Sequence, residues 1–354
     1  MSATRASGEP HLGHLAGAWN QWLILQGKGA ELRRYFMIAD AQALTDKGAT
    51  AESRKEVIRS VRQLACSMLA VGFDPDKSVL VLQSEIPELH ELTLLLAMLT
   101  PWPSIERNPS LREDMKAEDL RRVTLGTLTY PVSQTADIMG VKATKVPVGK
   151  DQLPAVYFAQ ELTRRLNRTC WGIAERGMPI PKPLIGNISR LIGIDGEGKA
   201  GKSSGNAIFL ADSQETIIQK VKLMPTCPLK IRKTDRVLLN WDRDLNQICL
   251  APAGAEPFIH VPLTYMAAFG SSEETSHLLN DYCEGKIGDI EIKSRLLEVL
   301  AGVLEPIQQR LREINTGMAL GIFIESSKRY REVAVVTLDE VKDGLGFGRK
   351  TYLG

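Results

Sequence analysis

The chain's 354 residues, 44% of them hydrophobic and 24% charged, suit one large globular domain or two ordinary ones and exclude a largely disordered protein. Its 44 basic and 42 acidic side chains leave a formal charge of +2. That excess is too small for a protein living on non-specific phosphate contacts, so a nucleic-acid partner is expected on a local patch.

The cysteines, Cys66, Cys170, Cys227, Cys249 and Cys283, include no C-x-x-C pair, which argues against a zinc or disulfide framework and for reduced thiols. No N-terminal stretch resembles a signal peptide, and no apolar run reaches the roughly 18 residues that span a bilayer. A soluble cytoplasmic protein with no membrane partner is the expectation.

The first stretch with chemistry in it is Ser7-Gly8-Glu9-Pro10-His11-Leu12-Gly13-His14-Leu15, followed by a helical pattern over residues 16–26. A helix start offers free backbone N–H groups and a positive dipole end, suited to a phosphate chain. Gly13 allows close approach of a purine, and the imidazoles of His11 and His14 can donate hydrogen bonds to an α-phosphate as charge develops there. Alone, the same pattern reads equally as two surface histidines in a turn.

Residues 35–39, 79–82 and 146–148 read as buried strands. Ile58, Val61, Ala65, Met68 and Leu69 recur at helical spacing between the first two, and Ala155, Ala159, Leu162 and Leu166 do so after the third. Strands alternating with helices predict right-handed βαβ units and a parallel sheet, with the chemistry at the carboxyl ends of its strands.

Next, the glycine-rich residues 193–198 lead into Lys199-Ala200-Gly201-Lys202-Ser203-Ser204. Paired lysines on a mobile loop can close over a triphosphate and neutralise its charge in the transition state. Gly196 to Ser203 also fits the P-loop expression G-x-x-x-x-G-K-[ST]. A P-loop, however, leaves an apolar strand and enters a helix, whereas Gly205-Asn206 and a strand-like Ala207-Ile208-Phe209-Leu210 follow here. Context therefore favours the lysine loop.

Beyond residue 205 the pattern changes. Residues 238–262 are less regular. Leu297, Leu300, Leu304, Ile307, Leu311 and Ile314 form one apolar stripe that Pro306 is expected to bend, and a second helical stretch covers residues 326–344. The chain reads as α/β. A Rossmann-like parallel-sheet catalytic domain over residues 1–205 precedes a mostly helical domain over residues 206–354.

Together these elements resemble the class I aminoacyl-tRNA synthetases. His11-Leu12-Gly13-His14 resembles their HIGH motif and Lys199-Ala200-Gly201-Lys202-Ser203 their KMSKS motif. Their separation fits the tryptophanyl and tyrosyl branch. The tryptophanyl members are singled out by Arg5-Ala6-Ser7-Gly8, Gln83-Ser84-Glu85-Ile86-Pro87-Glu88, Thr129-Tyr130-Pro131, Thr135-Ala136-Asp137-Ile138, Val146-Pro147-Val148-Gly149-Lys150-Asp151-Gln152 and Gly205-Asn206-Ala207-Ile208, all in family order.

The resemblance implies tryptophan activation with ATP and Mg2+, transfer to tRNA(Trp), a homodimer, and an anticodon-binding-like C-terminal domain, with no tightly bound cofactor or resident metal. It implies catalytic roles for His11, His14, Lys199, Lys202 and Ser203. It places Arg5, Ser7, Gly13, His14, Gly149, Lys150, Asp151, Leu191, Lys199 and Lys202 at ATP, and Tyr130, Gln134, Asp137 and Gln152 at tryptophan. Asp137 would accept the indole N–H, and a wrong substrate would leave that buried acceptor unpaired.

Departures from the family pattern are Ala200 and Gly201 for Met and Ser, Lys150 for an acidic residue, Ala155 for His, Gln160 for Arg, Arg5 for a frequent Gln and Ala3 for Gly. Only six residues precede Ser7, so the first strand is expected to be truncated or the start to lie upstream. Two other readings stand behind the leading one. One is a paralogue activating tryptophan or a modified indole amino acid for a non-translational acceptor or for inhibitor resistance. The other is an inactive homologue serving as an RNA- or protein-binding module, which retention of both histidines, both loop lysines, Asp137 and Gln152 disfavours.

Overall fold

The computed structural model describes the chain apart from residues 30, 48–49, 110, 113–122, 187–190, 202–203, 228–236, 243–246, 253–255, 349–351 and 353–354. Two units emerge from its packing. Met1–Gly8, Trp22–Ile185 and Asn315–Gly354 form the first, and Glu9–Gln21 with Gly186–Ile314 form the second.

The first unit is built on parallel strands. β1 (Ser2–Arg5), β2 (Tyr35–Ala39) and β3 (Val79–Leu82) lie in the order β1-β2-β3, with Ser2 opposite Phe36 and Tyr35 opposite Val79. β4 (Lys145–Val148) pairs in parallel with β5 (Lys182–Ile185). Ser2 ties β1 to β4 by donating its hydroxyl to the Pro147 carbonyl at 2.7 Å. All five residues of β2 are buried, which is why its sequence is continuously apolar rather than alternating. The first strand forms, and all four residues of β1 pair with β2.

The Ala51–Val71 helix leads from β2 to β3. Thr50 caps its first turn by accepting the Ser53 N–H, and Gly72 ends it at φ +115, a value only glycine adopts without strain. Its buried side includes Val57, Val61, Leu64, Ala65 and Met68, while Ile58 is exposed. The apolar face is thus centred one residue earlier than the sequence spacing suggested.

The Thr316–Gly344 helix belongs to this unit and begins ten residues before its expected start. Asn315 caps it by accepting the N–H groups of Gly317 and Met318, while Gly317 and Gly321 weaken the local helical signal. This helix covers the outer edge of β3. Ser326 and Ser327 accept the N–H groups of Leu80 and Leu82, each at 2.9 Å. Ser327 in turn donates to the Phe323 carbonyl at 2.8 Å. An edge strand's alternate N–H groups need such partners once water is excluded.

The second unit contains the antiparallel strands β6 (Val237–Asp242), β7 (Gln247–Pro252) and β8 (Phe258–Ile259), where irregular chain was expected. Ile248 and Leu250 alternate inward against Leu263, Leu279, Tyr282 and Ile292. Interruptions by Asn, Asp and Pro hid this period of two from the sequence reading.

His260 is fully buried and caps the Val261–Phe269 helix, its Nδ1 accepting the Leu263 N–H at 3.2 Å. Its Nε2 therefore carries the proton and donates to Asp289 Oδ1 at 3.2 Å, which also accepts the Tyr282 hydroxyl at 2.7 Å. The Asp289–Glu313 helix buries Ile292, Leu296, Leu300, Leu304 and Ile307, with Leu296 in the place expected of Leu297. Pro306 lies inside this helix, and Ile314 ends it in an extended conformation.

Ser327→Ala leaves the Leu82 N–H buried without an acceptor. This substitution is expected to cost about 1–3 kcal/mol. Urea unfolding should show a lower midpoint at unchanged slope.

Candidate active site

In the first unit, polar groups gather where the parallel strands end. Arg5 closes β1, Gln42 lies three residues beyond β2, Gln83 immediately follows β3, and Gly149 to Gln152 follow β4. The carboxyl ends of a parallel sheet are where such folds place ligands.

The Leu125–Gly140 helix presents Tyr130, Gln134 and Asp137 at spacings of four and three, which puts them on one face. Gln134 donates to the Tyr130 hydroxyl, and the Arg5 guanidinium carbon stands 5.3 Å from the Tyr130 ring centre, a cation–π distance.

Asp137 is only 3% exposed, yet its carboxylate is well partnered. Gln42 Nε2 donates to Oδ2 at 2.8 Å, and Gln83 Nε2 donates to Oδ1 and Oδ2 at 2.9 and 3.0 Å. The Gln42 backbone N–H also donates to Gln83 Oε1 at 3.2 Å, and Gln42 Nε2 reaches Ser133 Oγ at 2.8 Å. Burial pushes Asp137 up to about 7, and the Asp40 charge adds to the rise, while the two amide donors hold it back.

Gln42 and Gln83 were missed as site residues. Gln83 carried a signal, being a polar residue opening a motif directly after an apolar strand. Gln42 carried a weaker one, as a single amide among Ala41, Ala43 and Leu44.

Gln152 is exposed and donates to Asp151 Oδ2 at 3.2 Å, in the short turn Lys150–Gln152 that Gly149 opens. Ser7 is exposed, and its N–H donates to the Arg5 carbonyl at 2.9 Å.

In the second unit, His11 and His14 cap the same helix start reciprocally. The Gly13 N–H donates to His11 Nδ1 at 3.1 Å, and the His11 N–H donates to His14 Nδ1 at 3.2 Å. Their ring centres are 4.1 Å apart. An Nδ1 that accepts carries no proton, so both neutral rings hold their proton on Nε2 and are pure donors there. Burial, His14 and Lys199 push His11 down to about 3. Burial and Lys199 push His14 down to about 4, against a smaller upward pull from the His11 backbone hydrogen bond. Gly13 is required here, because a Cβ on it would meet the His11 ring at 2.8 Å.

The lysine loop is fastened to this corner. Leu12 N–H donates to the Ile208 carbonyl at 2.9 Å, Leu210 N–H to the Pro10 carbonyl at 3.0 Å, and Ala200 N–H to the Leu191 carbonyl at 3.0 Å. The buried Asn206 side chain is the loop's hub. Its Oδ1 accepts the Gly201 N–H at 3.0 Å, and its Nδ2 donates to both Asp195 oxygens at 3.0 Å and to the Glu197 carbonyl at 3.3 Å. Gly193 permits this, since a Cβ there would lie 2.1 Å from Asn206 Nδ2.

Asn206 and Asp195 were not singled out in the sequence, although both stand in the motif stretches. No helix follows Gly205, where the chain makes a turn and a single bridge to His11, unlike a P-loop. Lys202 and Ser203 lie outside the described residues. Neutral imidazole donors beside Lys199 suit an anionic phosphate.

The depressed histidines give stability a pH dependence. Below pH 6.5 the unfolded chain protonates His11 while the folded one, with its value near 3, does not. Stability from His11 is therefore complete above 6.5 and falls by up to about 1.4 kcal/mol per pH unit as pH drops through that window. Asp137 acts with opposite sign across 3.8 to about 7. The difference between wild type and His11→Asn isolates the imidazole, and urea unfolding at pH 7 and 5 should show the variant losing less.

The family model described as tRNA synthetases class I (W and Y) matches residues 1–305. A protein of Clostridium longisporum named Tryptophan--tRNA ligase is 38% identical over 353 residues, covering 98% of this chain and 96% of that protein. One of the same name from Treponema pallidum is 34% identical, with 99% and 97% covered. The fold resembles the crystal structure of tryptophanyl-tRNA synthetase from Campylobacter jejuni complexed with ADP and tryptophane, with a TM-score of 0.76, 22% identity and 98% of each chain covered. With a family model spanning most of its length and full-length relatives above 30% identity, the chain belongs to the class I tRNA synthetases of the tryptophan and tyrosine branch.

Proposed function

We propose that this chain is a ligase that activates L-tryptophan with ATP and transfers it to tRNA(Trp). The observation that carries the tryptophan assignment is Asp137, a buried carboxylate held by Gln42 and Gln83 on the helix face it shares with Tyr130 and Gln134. Relatives named Tryptophan--tRNA ligase over nearly the whole chain support it.

In the first step a tryptophan carboxylate oxygen attacks the α-phosphorus of MgATP, forming the adenylate and releasing pyrophosphate. In the second, a hydroxyl of the tRNA's terminal ribose attacks the adenylate carbonyl, and AMP leaves. No side-chain nucleophile is needed, so the protein contributes positioning and charge stabilisation. The Nε2–H groups of His11 and His14 donate to phosphate oxygens, and Lys199, Lys202 and Ser203 act on the phosphates as charge shifts to pyrophosphate. Arg5, Ser7, Gly13, Gly149, Lys150, Asp151 and Leu191 are assigned to ATP, and Tyr130, Gln134, Asp137 and Gln152 to tryptophan.

Functionally, residues 1–205 are assigned to catalysis and 206–354 to the anticodon side, apart from the Thr316–Gly344 helix, which packs within the first unit. A cytoplasmic homodimer is part of the proposal. Among the described residues no helix is long and apolar enough to cross a membrane.

The pairing of Asp137 changes how selectivity arises. Both carboxylate oxygens already accept amide N–H groups, so a bound phenylalanine does not leave the carboxylate without donors. The indole N–H must add to these donors or displace one of them.

ATP–pyrophosphate exchange should proceed with tryptophan and not with tyrosine, and a folded, ATP-binding protein with no exchange for any amino acid overturns the proposal. Asp137→Ala should lower kcat/KM for tryptophan roughly 10- to 100-fold with ATP affinity kept.

A further inference from the structure

We propose that Tyr330, on the Thr316–Gly344 helix, is a positioning residue that sets the Asp137 carboxylate for its substrate. The inference rests on the tryptophan reading above and deepens it. Residue 330 lies beyond the 1–305 stretch matched by the family model and in none of the motifs that carry the resemblance.

The Tyr330 side chain is 0% exposed, and its hydroxyl donates to the backbone carbonyl of Asp137 at 2.6 Å. That carbonyl sits in the last turn of the Leu125–Gly140 helix, where carbonyls run out of intrahelical donors. The N–H groups just beyond are committed elsewhere. Val141 and Lys142 turn to the Met139 carbonyl, and Ala143 turns to that of Ile138. The hydroxyl of Tyr330 thus closes the turn that carries Asp137.

Gly140 makes room for the contact. A Cβ there would stand 2.9 Å from the Tyr330 hydroxyl and 2.8 Å from Leu89 Cδ2. Tyr330 is itself fixed, edge-on to Tyr35 with ring centres 5.5 Å apart. Its helix is moored on either side of it. Arg329 donates to the Pro75 carbonyl at 2.7 Å, and Arg331 pairs with Glu88 at 2.9 Å. Burial keeps the phenol protonated, hence a donor, well above its usual range.

One residue therefore ties the C-terminal helix to the Asp137 backbone, while Gln42 and Gln83 hold the carboxylate at the other end of the same residue. Loss of the backbone tie lets the last turn rotate or fray, and the carboxylate moves with it.

Tyr330→Phe keeps the ring and removes the bond. Ser327→Ala removes another buried hydrogen bond of the same helix, one that leads to β3 and not to Asp137. Both full-length variants should lose stability in urea. Only Tyr330→Phe should raise KM for tryptophan, roughly 3- to 10-fold, with kcat and the KM for ATP unchanged and the preference over phenylalanine reduced. Gly140→Ala, which crowds the hydroxyl, should reproduce that pattern if Tyr330→Phe does not fold.

An unchanged KM and preference in Tyr330→Phe, or an equal change in Ser327→Ala, overturns the positioning role. If the wild type activates no amino acid, the tryptophan reading falls by itself. The role of Tyr330 is then read from the Asp137 carboxyl titration by carbon-13 NMR. A midpoint shifted in Tyr330→Phe and not in Ser327→Ala supports it, and an unmoved midpoint overturns it.

Discussion

A carboxylate removed from water must find its hydrogen bonds inside the protein or give up its charge, and Asp137 places that demand on the first unit. The demand is met by residues far apart in sequence. Gln42 follows β2, Gln83 follows β3, and Tyr330 reaches the Asp137 backbone from the C-terminal helix. Each comes from an element whose place is fixed by apolar packing. β2 is buried throughout, and the C-terminal helix is fixed by the β3 edge it covers. The sheet order therefore decides the chemistry of Asp137. A value raised to about 7 is the balance between desolvation and two amide donors, so small changes in either amide move the group across neutrality.

The second unit meets a similar demand locally. Instead of amides from distant strands, the two imidazoles are satisfied by backbone N–H groups two and three residues from themselves. This fixes their tautomer, and burial beside Lys199 fixes their charge state. A neutral ring that keeps its proton on Nε2 can meet an anionic ligand with little reorganisation, which is the form electrostatic preorganisation takes in a short helix start.

Much of this was legible in the sequence. The strands at 35–39 and 79–82 were continuous apolar runs, and the structure forms them with those bounds as β2 and β3. The histidine motif was visible because histidines are few, and the lysine motif because its glycine-rich context and its spacing are local. What escaped was of two kinds. The β6–β7–β8 sheet escaped because polar residues and prolines interrupt its alternation. Gln42, Asn206 and Tyr330 escaped because their roles depend on partners 95, 11 and 193 residues away. A single glutamine or tyrosine has no local pattern to announce such a role, and only the fold brings it to Asp137.

The two departures in the lysine loop differ physically, which the sequence alone could not reveal. Gly201 uses none of glycine's special freedom. It is absent from the left-handed residues, which here include Gly196, Gly198 and Gly205, and a Cβ on it would meet only the Lys199 carbonyl at 3.7 Å. A serine there fits the existing backbone and would remove entropy from the unfolded and open loop. Ala200 is different. It is 2% exposed, its N–H is bonded to the Leu191 carbonyl, and its methyl lies 3.8 Å from where a Gly13 side chain would begin. A methionine cannot simply be restored at 200, because added volume in a packed site displaces its neighbours, and the neighbour here is the glycine between the two histidines. Position 201 is thus a matter of chain entropy, whereas position 200 is coupled by packing to the histidine corner itself.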